Sequence, residues 1–177
     1  MGAVVVVDLE TTGWSPKIAF IIEFGAALVV GGEIRQTVGM LIRTPRKDDL
    51  YTRGAWAAKK VHGLEQSEVW ATGMAPDKAE ERVMTWMYNI REKYKVVVVT
   101  AYNLPFEQRF LNPWGVDTYG YSECLLKMAK RKLPTLGGHK LCDVAEHFGM
   151  DYRGGADHRA EVDAELAARV MIKLEEA

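Results

Sequence analysis

Four consecutive valines, Val4 to Val7, run without a break into Asp8-Leu9-Glu10-Thr11-Thr12-Gly13. A stretch that apolar reads as a strand buried on both faces, the kind found inside a sheet with helices packed against it. Residues two apart on a strand point the same way, so Asp8 and Glu10 share one face. Two carboxylates side by side at the end of a buried strand repel each other and lose hydration. A divalent cation between them offsets both costs, which makes the pair a candidate cation site. The alternative is a strand that simply ends in polar residues and a turn. Acidic residues further along the chain decide between the two.

The first strand and the turn from Gly13 to Lys17 lead into a long apolar segment, residues 18–30. Gly31-Gly32 is a hairpin signal, and residues 33–43 resume as a third strand, so the opening reads as an antiparallel meander. Residues 44–54 are polar and contain Pro45, which predicts a loop. Short helical pieces are expected near 54–60 and 65–70, and a full helix over 76–93, where Val83, Trp86, Met87 and Ile90 recur at helical spacing. Residues 95–101, centred on Val96 to Val99, form a second buried strand, expected parallel to the first because a helix precedes it. Helices follow over 104–111, 122–132 and 138–148. The glycine-containing loop at Arg153-Gly154-Gly155-Ala156 leads into a last helix over 157–176. The prediction is one α/β domain, residues 1–177, with a mixed central sheet, antiparallel in its first three strands and then parallel, flanked by helices.

Composition narrows the function. With 48% hydrophobic and 27% charged residues, the chain has the make-up of an ordinary soluble protein. No apolar stretch approaches the roughly 18 residues of a membrane span, so no membrane partner is expected. The N-terminus shows no basic segment followed by an apolar core, and Cys124 and Cys142 are too few for a disulfide framework. A cytoplasmic location fits both observations. A net charge of −1 argues against indiscriminate polyanion binding. Local phosphate contacts remain open to Arg43, Arg46 and Lys47, and to Lys127, Lys130, Arg131 and Lys132, although such a run also suits a solvated helix face.

Two further carboxylates and a histidine extend the pattern. After the second buried strand, Tyr102-Asn103-Leu104-Pro105-Phe106-Glu107 opens a helix whose Phe106, Phe110 and Leu111 form an apolar stripe. Parallel neighbouring strands end at the same sheet edge, so Glu107, one turn beyond its strand, can approach Asp8 and Glu10. In His158-Arg159-Ala160-Glu161-Val162-Asp163, the small residues Ala160, Ala164, Ala167 and Ala168 allow close approach of the last helix to the sheet, drawing Asp163 inward. His158 stands five residues earlier, about 140° around an ideal helix, so it is placed in the first turn or the preceding loop.

These segments, Asp8-x-Glu10-Thr-Thr-Gly, Tyr102-Asn103-x-x-Phe106-Glu107 and His158-x4-Asp163, resemble the three exonuclease motifs of the DEDDh family, which includes the proofreading subunit of bacterial replicative polymerases. The resemblance runs from Val4 to about Val170, and Val61-His62-Gly63-Leu64 resembles a family segment bordering the substrate cleft. It implies a ribonuclease H-like fold holding two divalent ions, Mg2+ or Mn2+, on Asp8, Glu10, Glu107 and Asp163. It implies His158 as general base, and a 3′–5′ exonuclease that acts on DNA or RNA and releases 5′-mononucleotides. Two metals stabilise the attacking and leaving oxygens of such a displacement, and histidine accepts a proton near neutral pH. Thr11, Thr12, Gly13, Trp14, His62 and Asn103 are the expected substrate contacts, with Trp14 a stacking surface. The expected partners are a nucleic acid with a 3′ end and a polymerase.

The sequence departs from the family pattern twice. Glu107 stands where aspartate is usual, one methylene longer, and Glu123-Cys124 replaces a common Asp-Thr pair. The first departure leaves an alternative open: a weakly active or inactive nucleic-acid-binding module associated with a polymerase. Cys124, His139, Cys142 and His147 fit no compact zinc spacing, and no nucleophile turn of the Gly-x-Ser-x-Gly type occurs.

Overall fold

A computed structural model of the protein describes residues 2–151 and 159–177. The valine run forms β1 (Ala3–Thr11). It pairs antiparallel with β2 (Ile21–Val30), and Gly31 and Gly32, both at positive φ, turn the chain into β3 (Glu33–Leu41). β4 (Val97–Ala101) pairs parallel to β1, with Val7 opposite Ala101, so both strands reach the same edge. The order is β3-β2-β1-β4, which is the mixed sheet expected.

The helices are α1 (Arg53–His62), α2 (Gln66–Thr72), α3 (Pro76–Lys93), α4 (Leu104–Leu111), α5 (Leu125–Lys132), α6 (Leu141–His147) and α7 (Ala160–Glu176). They cover both faces of the sheet, and the alternation along β1 divides the core accordingly. Ala3, Val5, Val7 and Leu9 pack with Val83, Met87 and Ile90 of α3 and with Phe110 and Leu111 of α4. Val6 packs on the opposite side with Leu125 of α5, Val144 of α6 and Ala167, Val170 and Met171 of α7. Asp8 and Glu10 continue the Val4–Val6 row. They therefore emerge on the α7 face.

Several boundaries differ from expectation, and hydrogen bonds account for four of them. β2 begins at Ile21 because a turn holds the preceding residues, with Ala19 N donating to Ser15 O at 2.9 Å. The loop over 44–54 contains a short 3-10 turn, Lys47–Tyr51, in which the Asp49 carboxylate accepts from Arg46 N. The helix expected from residue 122 starts only at Leu125. Residues 120–122 instead run along the outer edge of β4: Val99 N donates to Gly120 O at 3.0 Å and Ser122 N to Val99 O at 2.8 Å. Cys124 is thus the residue before α5 rather than part of it. α6 begins at Leu141 rather than 138, where the Asp143 carboxylate accepts from Lys140 N at 2.8 Å and caps it. The last helix is described from Ala160 onward, and the expected start at 157–158 lies outside the described residues. No helix among the described residues is long and apolar enough to cross a membrane.

Candidate active site

Three carboxylates converge on the α7 face. Asp8 and Glu10 of β1 and Asp163 of α7 each offer an oxygen, and these oxygens all lie within 4.8 Å of one another. Asp163 comes from the first turn of its helix and is buried, drawn inward as the alanine pattern around it implied. That approach is made possible by the sheet. Asp8 is paired with Gly25 of β2, and Gly25 with Gly39 of β3, so a row across three strands carries two residues without side chains. A Cβ on Gly25 would stand 2.0 Å from the Ala160 carbonyl carbon, and one on Gly39 2.8 Å from the Glu161 Cβ. The start of α7 lies in the groove that these glycines leave. Thr37 Oγ1 donates to Glu161 Oε1 at 2.7 Å, and the buried Glu23 carboxylate accepts from Arg159 Nε at 2.7 Å and Ala160 N at 3.1 Å.

Glu107 is not a surface residue. It is buried on α4, and its Oε2 has no hydrogen-bond partner among the described residues. It stands outside the group of three, but the charge of Asp8 acts on it. Burial, followed by the charges of Asp163 and Glu23, pushes the Asp8 carboxyl from 3.8 up to about 8. Glu10 is pushed up to about 9 by burial, then by Asp8, Asp163, Glu23 and Glu107. Glu107 also rises to about 9, chiefly through burial and then Asp8. Without a cation, Asp8, Glu10 and Glu107 hold their protons well above the usual carboxylate range. The donors fit a hard cation: carboxylate oxygens alone, close enough to converge on one ion, as Mg2+ and Mn2+ require.

Beside the cluster opens a pocket of about 740 Å3. Glu10 lines it, so the acidic group and the pocket share a wall. Thr11, Thr12, Gly13, Trp14, His62 and Asn103, the six residues expected to meet substrate, all line it. Trp14 is 78% exposed and meets Phe106 edge-on with ring centroids 5.6 Å apart, so it is a rim residue and not part of the core. α1 supplies the opposite side through Arg53, Ala57 and Val61. His62 ends that helix, before Gly63 at φ 70°. Its Nδ1 accepts from Leu64 N at 3.0 Å, which assigns the ring proton to Nε2. Burial, and then Lys59, lowers its pKa to about 4, so the ring is neutral at physiological pH. Nε2 has no partner among the described residues. On the other side of the site, the Cys124 thiol donates to Tyr102 O at 3.4 Å, so the Glu123-Cys124 departure still supports the backbone next to Asn103.

Each basic cluster has an arginine paired within the protein. Arg46 pairs with Asp49 at 2.9 Å. Lys130, Arg131 and Lys132 occupy the last turn of α5, where positive charge complements the helix dipole, and Arg131 bonds Glu123 at 2.7 Å. Cys124, His139, Cys142 and His147 form no metal-capable group among the described residues. His158 lies outside the described residues. Sequence reasoning missed Glu23, although a lone carboxylate inside a ten-residue buried strand was a visible anomaly. It also missed Gly25 and Gly39, which carry no pattern of their own.

The family profile described as Exonuclease (RNase_T) matches residues 5–171. The chain belongs to that family. Among curated relatives of this exonuclease domain, the PolC-type DNA polymerase III of Mycoplasmopsis pulmonis is 27% identical over 173 residues, 95% of this chain and 11% of that protein. The domain thus spans about a tenth of that relative's length. The DNA polymerase III subunit epsilon of Aquifex aeolicus is 26% identical over 178 residues, covering 98% of this chain and 80% of that one. The fold is shared with the nuclease domain of 3'hExo, a DEDDh family member solved bound to rAMP: TM-score 0.74, 21% identity, 98% of this chain and 92% of the other. The mixed sheet flanked by helices is therefore the ribonuclease H-like exonuclease architecture that the motifs implied.

Proposed function

We propose that residues 1–177 work as one exonuclease domain that hydrolyses phosphodiester bonds from the 3′ end of a DNA or RNA strand, releasing 5′-mononucleotides with the aid of two divalent ions, Mg2+ or Mn2+. The observation that carries this reading is the double membership of Glu10, which belongs to the three-carboxylate group and also lines the large pocket. A terminal nucleotide in the pocket has its phosphodiester at the carboxylates. Pockets of a few hundred cubic ångströms suit ligands of nucleotide size.

Asp8, Glu10 and Asp163 would hold one ion, and Glu107 with Asp8 would hold the second. Bound there, the ions would neutralise charge on the attacking and leaving oxygens of an in-line displacement. The protein's own groups do the rest. Trp14 and Phe106 present ring faces and edges to a base, and the neutral His62 ring offers its Nε2–H as a donor to the nucleotide. Asn103, at the start of α4, offers a side-chain amide, and Thr11, Thr12 and Gly13 form the floor at the end of β1. His158, the residue before Arg159 in the chain, takes the proton of the attacking water. The burial of Glu107 beside the charge of Asp8 favours an active enzyme over a binding module, since a free surface glutamate would serve neither ion. The Aquifex relative is named as a polymerase subunit, and we place this domain beside a polymerase in the cytoplasm on that likeness.

The test is incubation with 5′-labelled single-stranded DNA and RNA, with Mn2+ or Mg2+ and then with excess chelator. Laddering from the 3′ end that stops with chelator is the expected outcome. Binding without shortening under either metal would reduce the protein to a nucleic-acid-binding module.

A further inference from the structure

β2 is a run of ten buried residues with one carboxylate, Glu23, which is 2% exposed. It stands directly opposite Glu10 in the β1–β2 register. Like charges facing each other across antiparallel strands are destabilising, and a buried carboxylate is costly unless fully partnered. A strand serving only the sheet would do better with valine here. The partners of Glu23 are also unusual. Arg159 occupies the N-cap position of α7, yet its side chain makes no cap for its own helix. The cap comes from the sheet: Glu23 Oε1 accepts from Arg159 Nε at 2.7 Å and Oε2 from Ala160 N at 3.1 Å. Both oxygens are committed to α7, and Glu23 is not among the three carboxylates that can share an ion.

We propose that Glu23 is a positioning residue, which acts through Arg159 and Ala160 to set the depth and rotation of α7 so that Asp163 meets Asp8 and Glu10. This inference rests on the metal-dependent exonuclease reading above. The clamp and the ligand belong to a single turn, because Asp163 N donates to Arg159 O at 3.0 Å. The strand that holds the clamp is also the strand paired with Glu10, so one element registers both sides of the site. The Thr37–Glu161 bond and the glycine groove hold α7 independently. Loss of Glu23 therefore loosens the aim of Asp163 without detaching the helix.

Glu23→Gln tests the idea at constant size: an amide keeps one acceptor oxygen and turns an NH2 toward the second donor, so one of the two bonds is lost. Mn2+ binding is measured directly by the electron paramagnetic resonance of the free ion, alongside kcat and KM on a labelled oligonucleotide and the melting temperature. Groups that orient metal ligands typically account for about 10–100-fold in affinity or activity, so a weakening of Mn2+ binding in that range is expected. kcat should fall in parallel while KM for the strand stays nearly constant. Arg159→Gln should act in the same direction, and the double variant should cost no more than the worse single one, because both cut the same link. If Glu23→Gln does not fold, Arg159→Gln carries the measurement, since that side chain is 44% exposed. Mn2+ affinity and kcat within twofold of the parent, or losses that multiply in the double variant, would confine Glu23 to fold stability and overturn the proposal. Failure of the parent itself to bind Mn2+ sinks the exonuclease reading, and this role with it. A parent that binds and cleaves beside an unaffected Glu23→Gln sinks only this role.

Discussion

The carboxylate cluster should exchange protons for metal as the pH rises. Asp8 titrates near 8 and Glu10 near 9, so both carry a proton at pH 6 and must lose it to become ligands. An ion held by both displaces one to two protons, so its dissociation constant falls between about tenfold and about a hundredfold per pH unit from 6 to 8. Stability runs the opposite way in the metal-free protein. Carboxyls whose folded pKa is raised hold more protons folded than unfolded, from the ordinary value near 4 up to about 9. Their contribution is complete below that window and is lost as the pH climbs through it. Metal at 100 times its dissociation constant restores about 2.7 kcal/mol, roughly 5–10 °C in Tm for a domain this size. The gap between metal-free and Mn2+-loaded melting should therefore widen from pH 6 to 8. Titration calorimetry in two buffers of different ionisation heat counts the protons released. Release of fewer than about half a proton per ion, or a metal-free Tm that rises over this range because of the cluster, would mean that it stands ionised without a cation and would refute the reasoning.

Gly25→Ala must push α7 outward by about 1.4 Å, from the 2.0 Å approach to the 3.4 Å onset of ordinary contact, and misplacement on that scale costs on the order of 100-fold in rate; unaltered single-turnover kinetics would contradict it. Asp8→Ala and His158→Ala should each lose at least about 100-fold in kcat, the lower range for a missing acid–base group, and near-normal turnover by His158→Ala would remove the histidine from the mechanism. Trp14→Ala should weaken strand binding by about 1–3 kcal/mol with little change in melting, because the ring is exposed; a stability loss without an affinity loss would make it a packing residue.

The sequence showed most of the sheet because its signals were local and strong. Valine runs announced β1 and β4, the paired glycines announced the hairpin, and helix order made the second run parallel to the first. Asp8, Glu10 and Asp163 were legible because strand alternation and small residues on a helix restrict where side chains point. The burial of Glu107 was not, since a glutamate on an amphipathic helix reads the same inside or out until the facing strand is in place. α5 started late for a similar reason: residues 120–122 bonded to β4, a partner about twenty residues away in the chain. The clamp at Glu23 joins residues 136 apart, and no periodicity reports on such a pair.

The row Asp8-Gly25-Gly39 makes the spacing of the site depend on what two positions lack. Most residues can err in either direction, too large or too small, and neighbours adjust around them. At Gly25 every change adds volume, and every addition presses α7 away from the sheet. The separation between Asp163 and the β1 carboxylates is thus a lower bound set by bare backbone, which variation can widen but never narrow. A lineage that drifts at this position moves only toward a wider carboxylate cluster. Recovery would have to come from longer ligands on the helix, and a glutamate in place of Asp163 is the smallest such step.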